Sequence, residues 1–184
     1  MSLLISIRQK LHRFFLKRKI SKQSYAHKTI NLSEAKSISI LFDADQQAEA
    51  DQIISWANEL KKSGKDVQLL AYLPYKLKEY TPPYPYFTNK SINWLFFPVS
   101  EQVEQFTNNR CDILCCLFIK ENLTLESIAA MSNAQFRVGK FSEGKTYCFD
   151  FMINLDKNAS VAELIPQMKH FLNKIKLRRN VSTI

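Results

Sequence analysis

Apolar residues recur at three- and four-residue steps from the start of the chain. Leu4, Ile7, Leu11, Phe14 and Phe15 share one helical stripe, while Arg8, Lys10, Arg13, Lys17 and Arg18 take most of the remaining circumference. This pattern predicts a basic amphipathic helix from about residue 3 to 19. Its stripe needs a cover, and three are open: the chain's own domain, a ribonucleoprotein, or a membrane surface. Further on, SISILFDA at 37–44 reads as a strand. DADQQAEADQIISWANELKKSG then carries Ala50, Ile53, Ile54, Ala57 and Leu60 at helical steps, with Gly64 as a natural stop. DVQLLAYL follows with no room for a hairpin return, so 37–73 reads as a βαβ unit with two parallel strands.

Residues 74–87, PYKLKEYTPPYPYF, hold four of the six prolines and predict a surface crossing that packs its tyrosines on the core edge; Lys76, Lys78 and Lys90 leave a basic-aromatic patch open. INWLFFP at 92–98 reads as a third strand, and Ser100 is placed to cap a short helix bearing Val103 and Phe106. CDILCCLFI at 111–119 is nearly continuous in apolar residues, the pattern of a central strand covered on both faces. NLTLESIAAMSNA predicts a helix capped by Thr124; AQFRVGKF and TYCFDFMINL predict two strands whose short SEGK link suggests an antiparallel pair. The last helix carries Val161, Leu164, Ile165, Met168, Phe171, Leu172 and Ile175 on one face. The pattern gives an α/β fold: one three-layer, Rossmann-like sandwich of about six mostly parallel strands and four helices, preceded by the basic helix. The expected divisions are an arm at 1–30, a domain at 37–176 and a basic tail at 177–184.

Charge sharpens this picture. Eight basic residues and no acidic one fall within the first 28 positions, so most of the net charge of +9 sits in the arm. A concentrated run of this kind suits polyphosphate or an anionic bilayer. At 46% hydrophobic and 12% aromatic, the chain is too apolar for wholesale disorder. No stretch approaches the roughly 18 apolar residues of a membrane span, and the opening lacks the continuous apolar core of a secretory signal. Three of the four cysteines, Cys111, Cys115 and Cys116, lie inside the apolar run and Cys148 stands apart; this suits buried thiols in a reducing, cytoplasmic setting.

Candidate chemistry is sparse. With only Gly64, Gly139 and Gly144, the chain has neither a dinucleotide fingerprint nor a phosphate loop. Asp43, Asp45 and Asp51 could gather a divalent ion, yet a polar helix cap explains them equally, and Asp43 is the single residue to test for a site at the carboxyl ends of the strands. Strand alternation sets Cys111 and Cys115 on one side and Cys116 on the other, which speaks against a metal set. His12, His27 and His170 give no nucleophilic pair with a cysteine. No catalytic residue, cofactor or metal ligand is assigned.

The segments LHRFFLKRKISK, NLSEAKSISILFDA, CDILCCLFIKENLTLESIAAMSNAQFRVGKFSEG and YCFDFMINLDKN, in this order, resemble a family of small uncharacterised bacterial proteins typical of the Bacteroidota, which carry a domain of unknown function. The resemblance covers most of residues 8–176 and implies no reaction. A weaker one links the third segment, with Ala134 and Gly139, to the amino-terminal domain of heptosyltransferase-like enzymes, whose second sugar-nucleotide domain this length cannot hold. The expected function is a non-catalytic cytoplasmic adaptor binding RNA or a ribonucleoprotein, with the ribosome as a candidate, and a protein partner through its body. Its expected phosphate contacts are Arg8, Arg13, Lys17, Arg18, Lys19 and Lys22, with Lys174, Arg178 and Arg179 as a second group if the two ends meet. The alternatives are a membrane-peripheral interaction module, in which the apolar stripe enters an anionic surface, and an enzyme with an unrecognised site.

Overall fold

The fold is seen in a computed structural model that describes residues 3–21, 27–74, 81–156 and 158–175. In chain order the elements are α1 (Leu3–Ile20), β1 (Ser37–Asp43), α2 (Gln47–Lys62), β2 (Asp66–Leu73), β3 (Tyr86–Thr88), a single 3-10 turn (Asn89–Ser91), α3 (Glu101–Asn108), β4 (Cys111–Leu117), α4 (Leu123–Met131), β5 (Ala134–Lys140), β6 (Phe151–Ile153) and α5 (Val161–Lys174). The six strands form one sheet in the order β3-β2-β1-β4-β5-β6, every pair parallel. This is the doubly wound arrangement: the chain builds outward from β1 and then outward again from β4, leaving a topological switch between those two strands.

The central strands are apolar on both faces because both faces are covered. From β1, Ile38, Ile40 and Phe42 enter the core beneath α2 and α5, and Leu41 enters the core on the other face. Within β4, Ile113, Cys115 and Leu117 join the first core while Leu114 and Cys116 join the second, which lies under α3 and α4 and receives Leu16 of α1. Cys111 departs from the alternation: at the strand's first position it joins the second core with Cys116 and not the first with Cys115. The predicted sandwich of three layers is therefore present.

Three local expectations change. The third strand is β3, and residues 92–98 instead form a tight loop closed by an Ile92–Pro98 bridge, with Phe96 at φ +62°. Asn93 drives that loop, its Oδ1 accepting from Leu95 N at 2.9 Å and Phe97 N at 3.1 Å. Helix α4 is capped by Asn122, which accepts from Thr124 N and Leu125 N, and not by Thr124. The pair β5–β6 is parallel: residues 141–150 cross the α4 face with Cys148 and Phe149 buried, and Asp150 fixes the register by accepting from Arg137 N at 2.8 Å. The stretch 75–80 of the proline-rich crossing lies outside the described residues, whereas Tyr84 is buried as expected.

Candidate functional site

The 93–97 loop turns three consecutive backbone carbonyls toward its neighbours, and each finds a side-chain donor there. Arg8 donates to Trp94 O through Nε at 2.9 Å and Nη2 at 2.7 Å. His12 Nδ1 lies 2.7 Å from Leu95 O, and because a carbonyl only accepts, the proton belongs on Nδ1. Thr124 Oγ1 donates to Phe96 O at 2.9 Å. Aromatic contacts complete the seat: the Arg8 guanidinium lies 4.2 Å from the Phe96 ring centre, His12 stacks on Phe97 at 4.5 Å, and Lys19 Nζ sits 4.6 Å over Phe97. Leu16, 2% exposed, is the apolar anchor one turn beyond His12.

Helix α1 is therefore held by Arg8, His12 and Leu16, and the predicted apolar stripe is not its buried face. At about 100° per residue, Phe14 points roughly 160° away from Leu16. Leu4 is 71% exposed, Phe14 59%, Ile7 45% and Phe15 39%. Lys10, Arg13, Lys17 and Arg18 are exposed around them. Trp94, 61% exposed, extends the surface from the loop, with the Arg8 guanidinium 5.5 Å from its ring centre. The outward surface of α1 thus combines an apolar row, flanking cations and an exposed indole.

Of the predicted phosphate contacts, Arg13, Lys17 and Arg18 face outward, whereas Arg8 and Lys19 are engaged with the loop. Lys22, Arg178 and Arg179 lie outside the described residues. Lys174 ends α5, whose buried residues belong to the core on the opposite face of the sheet from Leu16, so the described ends of the chain are not brought together.

The sequence reading missed a buried charged cluster beneath the 142–147 turn. Lys145 Nζ donates to Glu126 Oε2 at 2.7 Å, and Tyr147 Oη donates to the same oxygen at 2.6 Å. The side chains of Lys145 and Glu126 are 8% and 3% exposed. Burial, then the bond and charge of Glu126, hold the Tyr147 phenol well above its ordinary pKa. Two cavities share Lys145 and Glu121: one of about 210 Å³ at the carboxyl ends of β4 and β5, and one of about 310 Å³ between α1 and the turn. A signal for the cluster was present, since Glu126 falls among the buried residues of a helix otherwise composed of Leu, Ile, Ala, Ser, Thr and Met.

A second, part-buried ionic group has Arg137 Nη2 2.9 Å from Asp150 Oδ1 and the exposed His27 Nδ1 3.2 Å from Asp150 Oδ2. Its groups satisfy one another and fix β5 against the following crossing.

Asp43 stands at the switch between β1 and β4 in a cavity with Asp45, Glu49 and Lys120, and burial pushes its carboxyl above the ordinary range. Its Oδ1 accepts from Asp45 N at 3.1 Å, while Asp51 is bonded to Gln47. Among the described residues, no group of three His, Cys, Asp or Glu side chains is disposed to hold a metal ion. All four thiols are free and buried; burial raises every one, Cys148 to about 12, so none is a reactive thiolate near neutrality. No described helix is long and apolar enough to cross a membrane.

Comparison with known proteins places the chain in a family. A family of unknown function (DUF6913) matches residues 8–175, and the chain belongs to it. No curated protein and no solved structure matches the chain.

Proposed function

We propose that this member of a family of unknown function is a peripheral adaptor that lays α1 on an anionic lipid surface and presents its α/β body to a protein partner. One observation carries the reading: α1 is fixed to the body through Arg8, His12 and Leu16, so Leu4, Ile7, Phe14 and Phe15 point away from it. A helix of 18 residues is about 27 Å long, and its apolar row would enter the interface while Lys10, Arg13, Lys17 and Arg18 meet lipid phosphates. Each such cation near an anionic surface contributes about 1 kcal/mol. The exposed Trp94 beside Arg8 has the amphipathic character favoured at headgroup depth.

Two other occupants fit less well. Pairing with a second copy would bring together two helices that each carry six basic residues and no acidic one. RNA would use the same cations, but it leaves the exposed apolar row without a role.

The test is co-sedimentation of the full chain with phosphatidylcholine vesicles with and without phosphatidylglycerol, beside a structured RNA. The Ile7→Ser/Phe14→Ser variant leaves the seat residues intact, so its melting temperature should match the wild type while vesicle binding is lost. RNA binding that survives this variant and disappears in Arg13→Glu/Lys17→Glu, with no vesicle binding by the wild type, would replace the lipid reading by the ribonucleoprotein one.

A further inference from the structure

We infer that the cavity at the carboxyl ends of β4 and β5 binds a small phosphate-class oxyanion, with Lys145 as its buried ammonium. The cavity lies outside the carboxyl ends of the parallel strands, the end at which such sheets collect ligands, one strand beyond the switch between β1 and β4. Lys120, Lys140 and Lys145 line the cavity with Glu121 and Glu126, so its walls carry a net positive charge. Both carboxylates already have partners: Glu126 Oε2 accepts from Lys145 and Tyr147, and Glu121 Oε1 accepts from Ser142 Oγ at 2.9 Å.

The ammonium groups, by contrast, hold donors in reserve. Lys145 has three N–H bonds, and its one hydrogen-bond acceptor among the described residues is Glu126. Glu121 Oε1 lies at 3.9 Å, outside hydrogen-bond reach. Among the described residues, Lys140 Nζ makes one long bond, 3.4 Å to Ile119 O. A lysine side chain that is only 8% exposed, with two ammonium donors unpartnered among the described residues, is an unusual thing to bury for stability alone, because a buried ion pair is commonly no better than a well-packed apolar pair. An oxyanion would accept those donors.

Size and surroundings narrow the ligand. At about 210 Å³ the cavity is below the range of drug-sized ligand sites, about 300–1,000 Å³, so it holds a small anion or the phosphate end of a larger molecule. Phe118 and Phe149, with ring centres 6.1 Å apart, supply an apolar wall. Low local polarity strengthens charge-assisted hydrogen bonds of this kind.

The experiment titrates the full chain with inorganic phosphate and with glycerol 3-phosphate by calorimetry, with sodium chloride at matched ionic strength as the reference. Lys145→Met leaves Glu126 buried without its cation and is expected to unfold, so the variants are Lys120→Gln/Lys140→Gln, at the cavity, and Lys17→Gln, on α1. Saturable binding of either phosphate, weakened at least about tenfold in the double variant (about 1.4 kcal/mol) and unchanged in Lys17→Gln, supports the site. Response to the ester but not to inorganic phosphate identifies the end of a larger molecule as the occupant. Binding no stronger than the chloride response, or equal in the double variant, overturns the inference.

Discussion

The sharpest consequence of the α1 seat concerns one ring nitrogen. His12 is 1% exposed, its Nδ1–H donates to Leu95 O, and its Nε2 is a buried side-chain polar atom with no hydrogen-bond partner among the described residues. Protonation would place a positive charge on Nε2 with no acceptor to receive it. Desolvation lowers the His12 pKa below 6.5; the Leu95 carbonyl and Glu126 oppose that shift, while Arg13 and Lys19 add to it. With a folded value below the unfolded one, the released helix binds more protons than the docked helix. Docking therefore strengthens as pH rises and is complete above about 6.5. As pH falls from there toward the folded pKa, α1 should lose up to about 1.4 kcal/mol of docking free energy per pH unit.

Hydrogen exchange measured at pH 5.0, 6.0 and 7.5, corrected for intrinsic rates, separates this local opening from global unfolding. Amides of α1 should open more readily at pH 5.0 than at 7.5, with those of β4 as the reference for the core. In His12→Leu the pH dependence of α1 relative to β4 should vanish. His12→Leu removes one orphaned acceptor, Nε2, and leaves another, Leu95 O, without its donor; each costs about 1–3 kcal/mol, so docking at pH 7.5 should be little changed. A wild-type α1 whose relative protection is flat with pH, or a variant with the wild-type slope, refutes the reasoning.

Two further outcomes follow from packing. A Cβ added at Gly139 would lie 2.7 Å from Phe149 Cε1, so Gly139→Ala should overpack the seam between β5 and the 141–150 crossing and cost about 1–3 kcal/mol, read as a lower midpoint in urea unfolding. Leu16→Ala removes the apolar anchor of α1 and should cost about 2–5 kcal/mol if the core does not collapse around it, read as lost protection in α1 with β4 retained.

The sheet was largely legible because continuous apolar runs such as ILF in β1 and ILCCL in β4 can be satisfied only when both faces are covered. The β5–β6 direction was not, because it depends on Asp150 and Arg137 gripping each other across a link too short for an ordinary helical crossover. Residues 92–98 misled for a related reason: their apolar side chains suggest a strand, but Asn93 captures the backbone of Leu95 and Phe97 first. On α1, periodicity located the apolar row correctly and left open what covers it; the body takes a different face, through Arg8, His12 and Leu16. Periodicity reports which residues lie together, whereas the docked face was decided by carbonyls at positions 94 and 95, far away in the chain. The Lys145–Glu126–Tyr147 cluster was half legible: Glu126 stands in an otherwise apolar helix, but its partners come from a charged turn about 20 residues on that looks solvated until the fold closes over it.

These corrections share a cause that bears on how α1 works. Its seat is small: one buried leucine worth about 1.5–3 kcal/mol, the Arg8 and His12 bonds to two carbonyls, and the contacts of Arg8, His12 and Lys19 with the Phe96 and Phe97 rings. A helix docked by its apolar row would hide the residues that now face outward and would be harder to release. Docking through Arg8 and His12 keeps that row available and leaves the attachment weak enough for a single imidazole proton to alter it appreciably. The orphaned Nε2, which would be a defect in a purely structural contact, is the feature expected to make α1 docking respond to pH while the sheet beneath it stays closed.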